Sequence, residues 1–162
     1  MRGRLNATQI FLVYAIPALP YCMKNDEERE IARRKLEHAL QQGTEISDEE
    51  LTRYFPDAIA RRNDFVKGRL ENQGDKREMN ILYWREGHNK YVGKLCWTHL
   101  GLLVKEIKTR NGVPYAVCIG EEGLSSVLIP NYHRDLQEND VVSTHRGCIA
   151  EIFDGKNTRS GQ

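Results

Sequence analysis

Hydrophobic and polar positions divide the chain into three regimes. Gln9 to Ile16 (Gln-Ile-Phe-Leu-Val-Tyr-Ala-Ile) is nearly all apolar, rich in β-branched and aromatic residues, and stops at Pro17. Such a run reads as a strand buried on both faces and joined to a sheet further on. From Asn25 the period changes to that of a helix. Asn25 stands as N-cap with Glu28 three residues later, acids crowd the first turn, and Gly43 offers a stop. A second start lies at Ser47 with Glu50 in the capping-box position. A third lies at Pro56, opening a helix from Asp57 to about Gln73 with Ile59, Val66 and Leu70 on its apolar side.

Beyond Gly74-Asp75-Lys76 the pattern becomes short apolar runs between turn signals. Met79 to Trp84 and Tyr91 to Trp97 read as strands about the turn Gly87-His88-Asn89. Gly101 to Lys108 and Val113 to Ile119 flank Asn111-Gly112, a strong two-residue hairpin signal. Glu121-Glu122-Gly123 leads into Leu124 to Ile129, and Arg146-Gly147 hinges Asp140 to His145 against Cys148 to Phe153. About six or seven strands of this length predict a small barrel or curled sheet, OB-like or SH3-like. The expected fold is α+β: a helical N-terminal half packed on a small C-terminal antiparallel barrel. The organisation expected is a strand-like segment over 1–24, helices over 25–74, a barrel over 75–153 and a flexible tail over 154–162.

Composition narrows the class of function. An apolar fraction of 40% and a charged fraction of 29% belong to a folded chain, not a disordered one. A net charge of +1 gives no global field to attract nucleic acid or an anionic membrane. Cys22, Cys96, Cys118 and Cys148 lack the dense spacing of a disulfide scaffold, which points to thiols and a cytoplasmic setting. Arg2 and Arg4 before the apolar run have the look of a secretory signal's basic flank. Pro17, Pro20 and the lack of a small-x-small cleavage site argue against one, and the run falls short of the roughly 20 apolar residues of a membrane span.

The sharpest chemical pattern is Cys96-x-x-His99 with His145-x-x-Cys148, a Cys2His2 set of the kind zinc selects. Each pair can reach one ion only if the backbone turns between its members, because in a strand positions i and i+3 point to opposite faces. Arg146-Gly147 supplies such a turn, whereas Trp97-Thr98 does not. Packing of the two thiols as small buried hydrophobes is the competing reading. A cysteine-dependent enzyme would draw on Cys118, His133 and Asp135, or on Cys148 beside His145, but no nucleophile elbow or anion loop accompanies them.

For single-stranded nucleic acid the candidates are Arg29, Arg33, Arg34, Arg61 and Arg62, with Tyr83, Trp84, Tyr91 and Trp97 as stacking platforms. Glu28, Glu30, Glu37, Asp57 and Asp64 interleave those cations, which favours salt-bridged helix faces instead. The function expected from the residues is a non-enzymatic binding or adaptor role through a protein partner or self-association. Single-stranded nucleic-acid binding is the first alternative, and a zinc-stabilised domain or cysteine enzyme the second. If Ile10 to Ile16 were an edge strand, it would offer backbone for β-augmentation.

Overall fold

A computed structural model describes residues 1–70 and 74–153. The chain forms two compact units, one of Leu5–Trp97 and one of Met1–Arg4 with the chain from Thr98 onward. The first is helical and the second is a β-barrel, so the α+β class expected from the pattern holds. Among the described residues no helix is long and apolar enough to cross a membrane.

The apolar N-terminal run is helix, not strand: α1 spans Ala7–Ala15. Its start is a capping box. Asn6 Oδ1 accepts from Gln9 N at 2.8 Å and Gln9 Oε1 accepts from Asn6 N at 2.9 Å. Thr8 and every residue from Ile10 to Ala15 are buried, and a helix enclosed on all sides is apolar all round. Periodicity therefore could not separate it from a two-faced strand. The amide NH₂ groups of Asn6 and Gln9 also donate to Gly43 O and Leu40 O, both at 2.9 Å, satisfying end carbonyls of the next long helix.

After a short helix α2 (Leu19–Cys22), α3 runs Asp26–Gln42. Its cap at Asn25 and its left-handed terminator at Gly43 (φ 68°) are those read from the residues. Helix α4 (Asp48–Tyr54) starts from Ser47 and α5 (Pro56–Val66) from Pro56. The latter stops well before Gln73, because Lys67 turns extended and Gly68 takes φ 79°; residues 71–73 lie outside the described residues. Helix α6 (Lys76–Leu82), capped by Asp75, replaces the strand expected over Met79 to Trp84, and continues into a π turn at Tyr83–Gly87 and a 3₁₀ turn at His88–Lys90. The strand expected over Tyr91 to Trp97 is irregular chain with a 3₁₀ turn at Lys94–Cys96.

Packing explains this correction. Trp84 stacks on Tyr14 at 5.3 Å and 6°, and meets Phe11 and Tyr83 edge-on at 5.6 and 5.0 Å. Those aromatics are wanted on one helical stripe against α1, and a period-2 reading would split them between two faces. The expected barrel boundary at 75 therefore moves to Thr98, and the 1–24 segment belongs mostly to the helical unit.

The barrel is built from β1 (Thr98–Arg110), β2 (Val113–Gly120), β3 (Gly123–Leu128), β4 (Val141–His145) and β5 (Cys148–Phe153). It closes in the order β1-β2-β3-β5-β4, with β4 returning to β1. All pairings are antiparallel except one parallel contact, Leu128 to Cys148. Of the two barrels expected, this strand order is the OB-like one. Both hairpin signals act as read: Asn111-Gly112 (φ 52° and 78°) and Arg146-Gly147 (φ 53° and 76°) take the doubly positive backbone of type I′ turns. Val104, Ala116, Cys118, Val142 and Ile149 fill the interior. The expected tail, 154–162, lies outside the described residues.

Candidate binding face

Alternation along β2 defines two surfaces. Ala116 and Cys118 point inward and are buried, while Val113, Tyr115, Val117 and Ile119 point outward, so the outward set is apolar at every position. Register extends this face across the sheet. Leu103, Ile119 and Leu124 form one row, Glu106, Val117 and Ser126 the next, and Lys108, Tyr115 and Leu128 a third. Leu124 is 69% exposed, and Val113 and Leu128 are each 50% exposed. Charges on this face sit on β1, where Glu106, Lys108 and Arg110 occupy alternate positions and Lys108 Nζ lies 3.4 Å from Glu106 Oε2. The result is an apolar strip with a mixed-charge margin.

Strand register does not bring His99 together with His145 and Cys148 as spacing suggested. On β1, Thr98 pairs with His145 and His99 with Thr144, so adjacent rows put His99 on the opposite face of the sheet from His145 and Cys148. Cys96 belongs to the helical unit, where its Sγ lies 3.9 Å from His88 Nε2, a partner outside the expected set. Burial pushes the Cys148 thiol up.

The Cys118, His133 and Asp135 set differs sharply in burial from member to member. Cys118 is enclosed in the barrel, where burial raises its thiol to about 11. His133 is wholly buried and donates through Nε2 to Ala150 O at 2.6 Å, while Nδ1 has no hydrogen-bond partner among the described residues. Burial brings that imidazole down to about 4. Asp135 is exposed and turned to Arg2.

The arginines expected to meet phosphate are engaged in the helical unit. Arg29 pairs with Asp26 at 2.7 Å, Arg33 with Glu30 and Glu37 at 2.5 and 2.8 Å, and Arg34 with Glu30 at 3.1 Å. The hydrogen bonds from Arg33 bring the Glu30 carboxyl down to about 2, so these are the i to i+3 and i to i+4 pairs of a solvated helix face. Arg62 is fully buried, clasped by Asp48, Asn63 and Asn80, and cannot reach a ligand. Its neighbour Arg61 is half-buried.

Tyr83 and Trp84 are core residues of the helical unit, not platforms on the barrel. Tyr91 donates to Asp64 Oδ2 at 2.6 Å, and Trp97 Nε1 donates to Val92 O at 3.2 Å, both half-buried. Aromatic residues here signal packing and not a site. The signal for the outer face is present in β2, since a strand apolar at every position inside a small barrel must present one set of side chains outward. Comparison with family models, curated proteins and solved structures returned no match for this chain.

Proposed function

We propose that the protein is a non-enzymatic binding module that engages a protein partner through the outer face of β1–β3. The observation that carries this reading is the unbroken apolar outward set of β2, flanked by exposed Leu124 and Leu128. Burying such a strip in a partner removes apolar area from water at about 25 cal/mol per Å². At the margin Lys108 is paired with Glu106, and Arg110 adds one cation that would favour an acidic group on the partner. Four free thiols suit a reducing compartment, and we assign the protein to the cytoplasm.

The test is the double substitution Ile119→Asp with Leu124→Asp, outward positions that leave the core intact. Purified partner bound by the wild type is expected to bind the variant at least tenfold more weakly, about 1.4 kcal/mol, with an unchanged thermal melt. Equal affinity for wild type and variant refutes the assignment. Single-stranded nucleic acid is the second reading, favoured by the OB-like order and by Tyr115 lying in one row with Lys108. It requires that a labelled oligothymidine bind more tightly as salt is lowered; binding indifferent to salt rules it out.

A further inference from the structure

Two strands of the closed barrel are paired along only part of one edge among the described residues. Strand β1 pairs with β4 only as far as Leu103 opposite Val141, and Val104 completes its bonds to Asp140 O and Asn139 N. From Lys105 to Arg110 the outer edge of β1 meets no strand among the described residues, but it carries Lys105, Lys108 and Arg110. Lysine-rich edges are how sheets discourage strand addition.

Strand β3 has the opposite character. It pairs with β2 along its length and with β5 only at Leu128, so among the described residues its outer edge from Gly123 to Val127 meets no strand. Leu128 N donates to Gly147 O at 2.8 Å, on the β5 side. Alternation then turns the N–H and C=O of Ser126 and Leu124 to that same side, while Val127 and Ser125 face β2. The edge sequence Gly-Leu-Ser-Ser-Val has no charge, no proline and no bulge. It adjoins the apolar row Leu103, Ile119, Leu124, and the exposed acids Glu121 and Glu122 stand at its start.

From this we infer that the outer edge of β3 accepts an extended peptide of the partner protein as an added strand, with apolar residues at alternate positions and a basic residue at the end beside Gly123. This deepens the proposed face-binding function and rests on it. Open backbone donors and acceptors in strand spacing call for a polypeptide backbone, which nucleic acid cannot supply. The uncharged edge admits an apolar strand, and the acidic turn selects a basic end.

The probe is a fluorescein-labelled peptide of alternating threonine and valine ending in two lysines, titrated by anisotropy. Saturable binding is expected, with slowed amide exchange at Leu124 and Ser126. Ser126→Pro removes one outward N–H without breaking a bond to β2, and is expected to weaken binding at least tenfold while the melt is retained. Should that variant unfold, the wild type against the same peptide N-methylated at every amide asks the same question, and loss of binding supports the edge. Binding retained by Ser126→Pro or by the methylated peptide, yet lost in Ile119→Asp, overturns the added strand and leaves the face reading intact. No binding to the wild type overturns the added strand; light scattering that shows dimers broken by Ser126→Pro assigns the edge to a second copy and overturns the partner-peptide assignment.

Discussion

At the scale of single residues, the most informative positions are buried polar groups with incomplete surroundings. His133 is neutral in the fold, with its pKa at about 4 because burial penalises the imidazolium. An unfolded histidine titrates near 6.5, so between those values the unfolded chain binds more protons and stability falls as pH falls. The contribution is complete above about pH 6.5 and is lost progressively as pH drops from there through 4, by roughly 3 kcal/mol. His133→Gln keeps a donor for Ala150 O and cannot titrate, so urea unfolding from pH 7 to 4 should show a flatter stability profile for it than for the wild type. Arg62 makes the converse case. Burial would raise the Asp48 carboxyl, but hydrogen bonds from Arg62 and Lys76 outweigh it and hold it low. Arg62→Ala leaves Asn80 Oδ1 and Asp48 short of a donor, and is expected to cost about 3 kcal/mol by denaturant titration. Gly87 is needed for space: a Cβ there would stand 2.4 Å from the Phe65 ring, with backbone φ an ordinary −96°. Gly87→Ala should destabilise by about 1–3 kcal/mol, and Phe65→Leu in the same chain should recover part of that loss.

At the scale of elements, ends are more legible than interiors. Asn25, Gly43, Ser47 and Pro56 each stand where the residues place a helix start or stop, because capping is a local exchange between a side chain and its own backbone. The same holds for Asn111-Gly112 and Arg146-Gly147, whose positive φ is a property of the turn itself. Helix α1 escapes a reading by periodicity because its apolar interior carries no period, although Asn6 and Gln9 form a capping box visible in the sequence. Asn6→Ala would remove both the N-cap acceptor and the donor to Gly43 O, ends of two helices at once. Thermal melts should show a loss of about 1–2 kcal/mol, more than for Ser47→Ala, which removes one capping bond.

At the scale of the whole molecule, the chain begins in the barrel, leaves it after Arg4 and returns at Thr98. Arg2 is held there by Asp140 and by Asp135 O. Each unit has its own core: Phe11, Tyr14, Leu36 and Trp84 in the helices, Val104, Ala116 and Ile149 in the barrel. A segment of residues 5–97 is therefore expected to unfold cooperatively by circular dichroism, and a broad melt would show that its core is not self-sufficient. Amino-acid sequence alone determined the α+β class, the hairpins and the helix caps, since each depends on residues a few positions apart. The tertiary structure decided what lay between them. It made helices of the runs at Gln9 and Met79 by enclosing them among aromatics, and it separated His99 from His145 and Cys148 by strand register. It also turned one side of an entirely apolar β2 to the surface and left the edge of β3 open. Burial, register and pairing join residues far apart in the chain, and no local pattern encodes which face of a strand is covered.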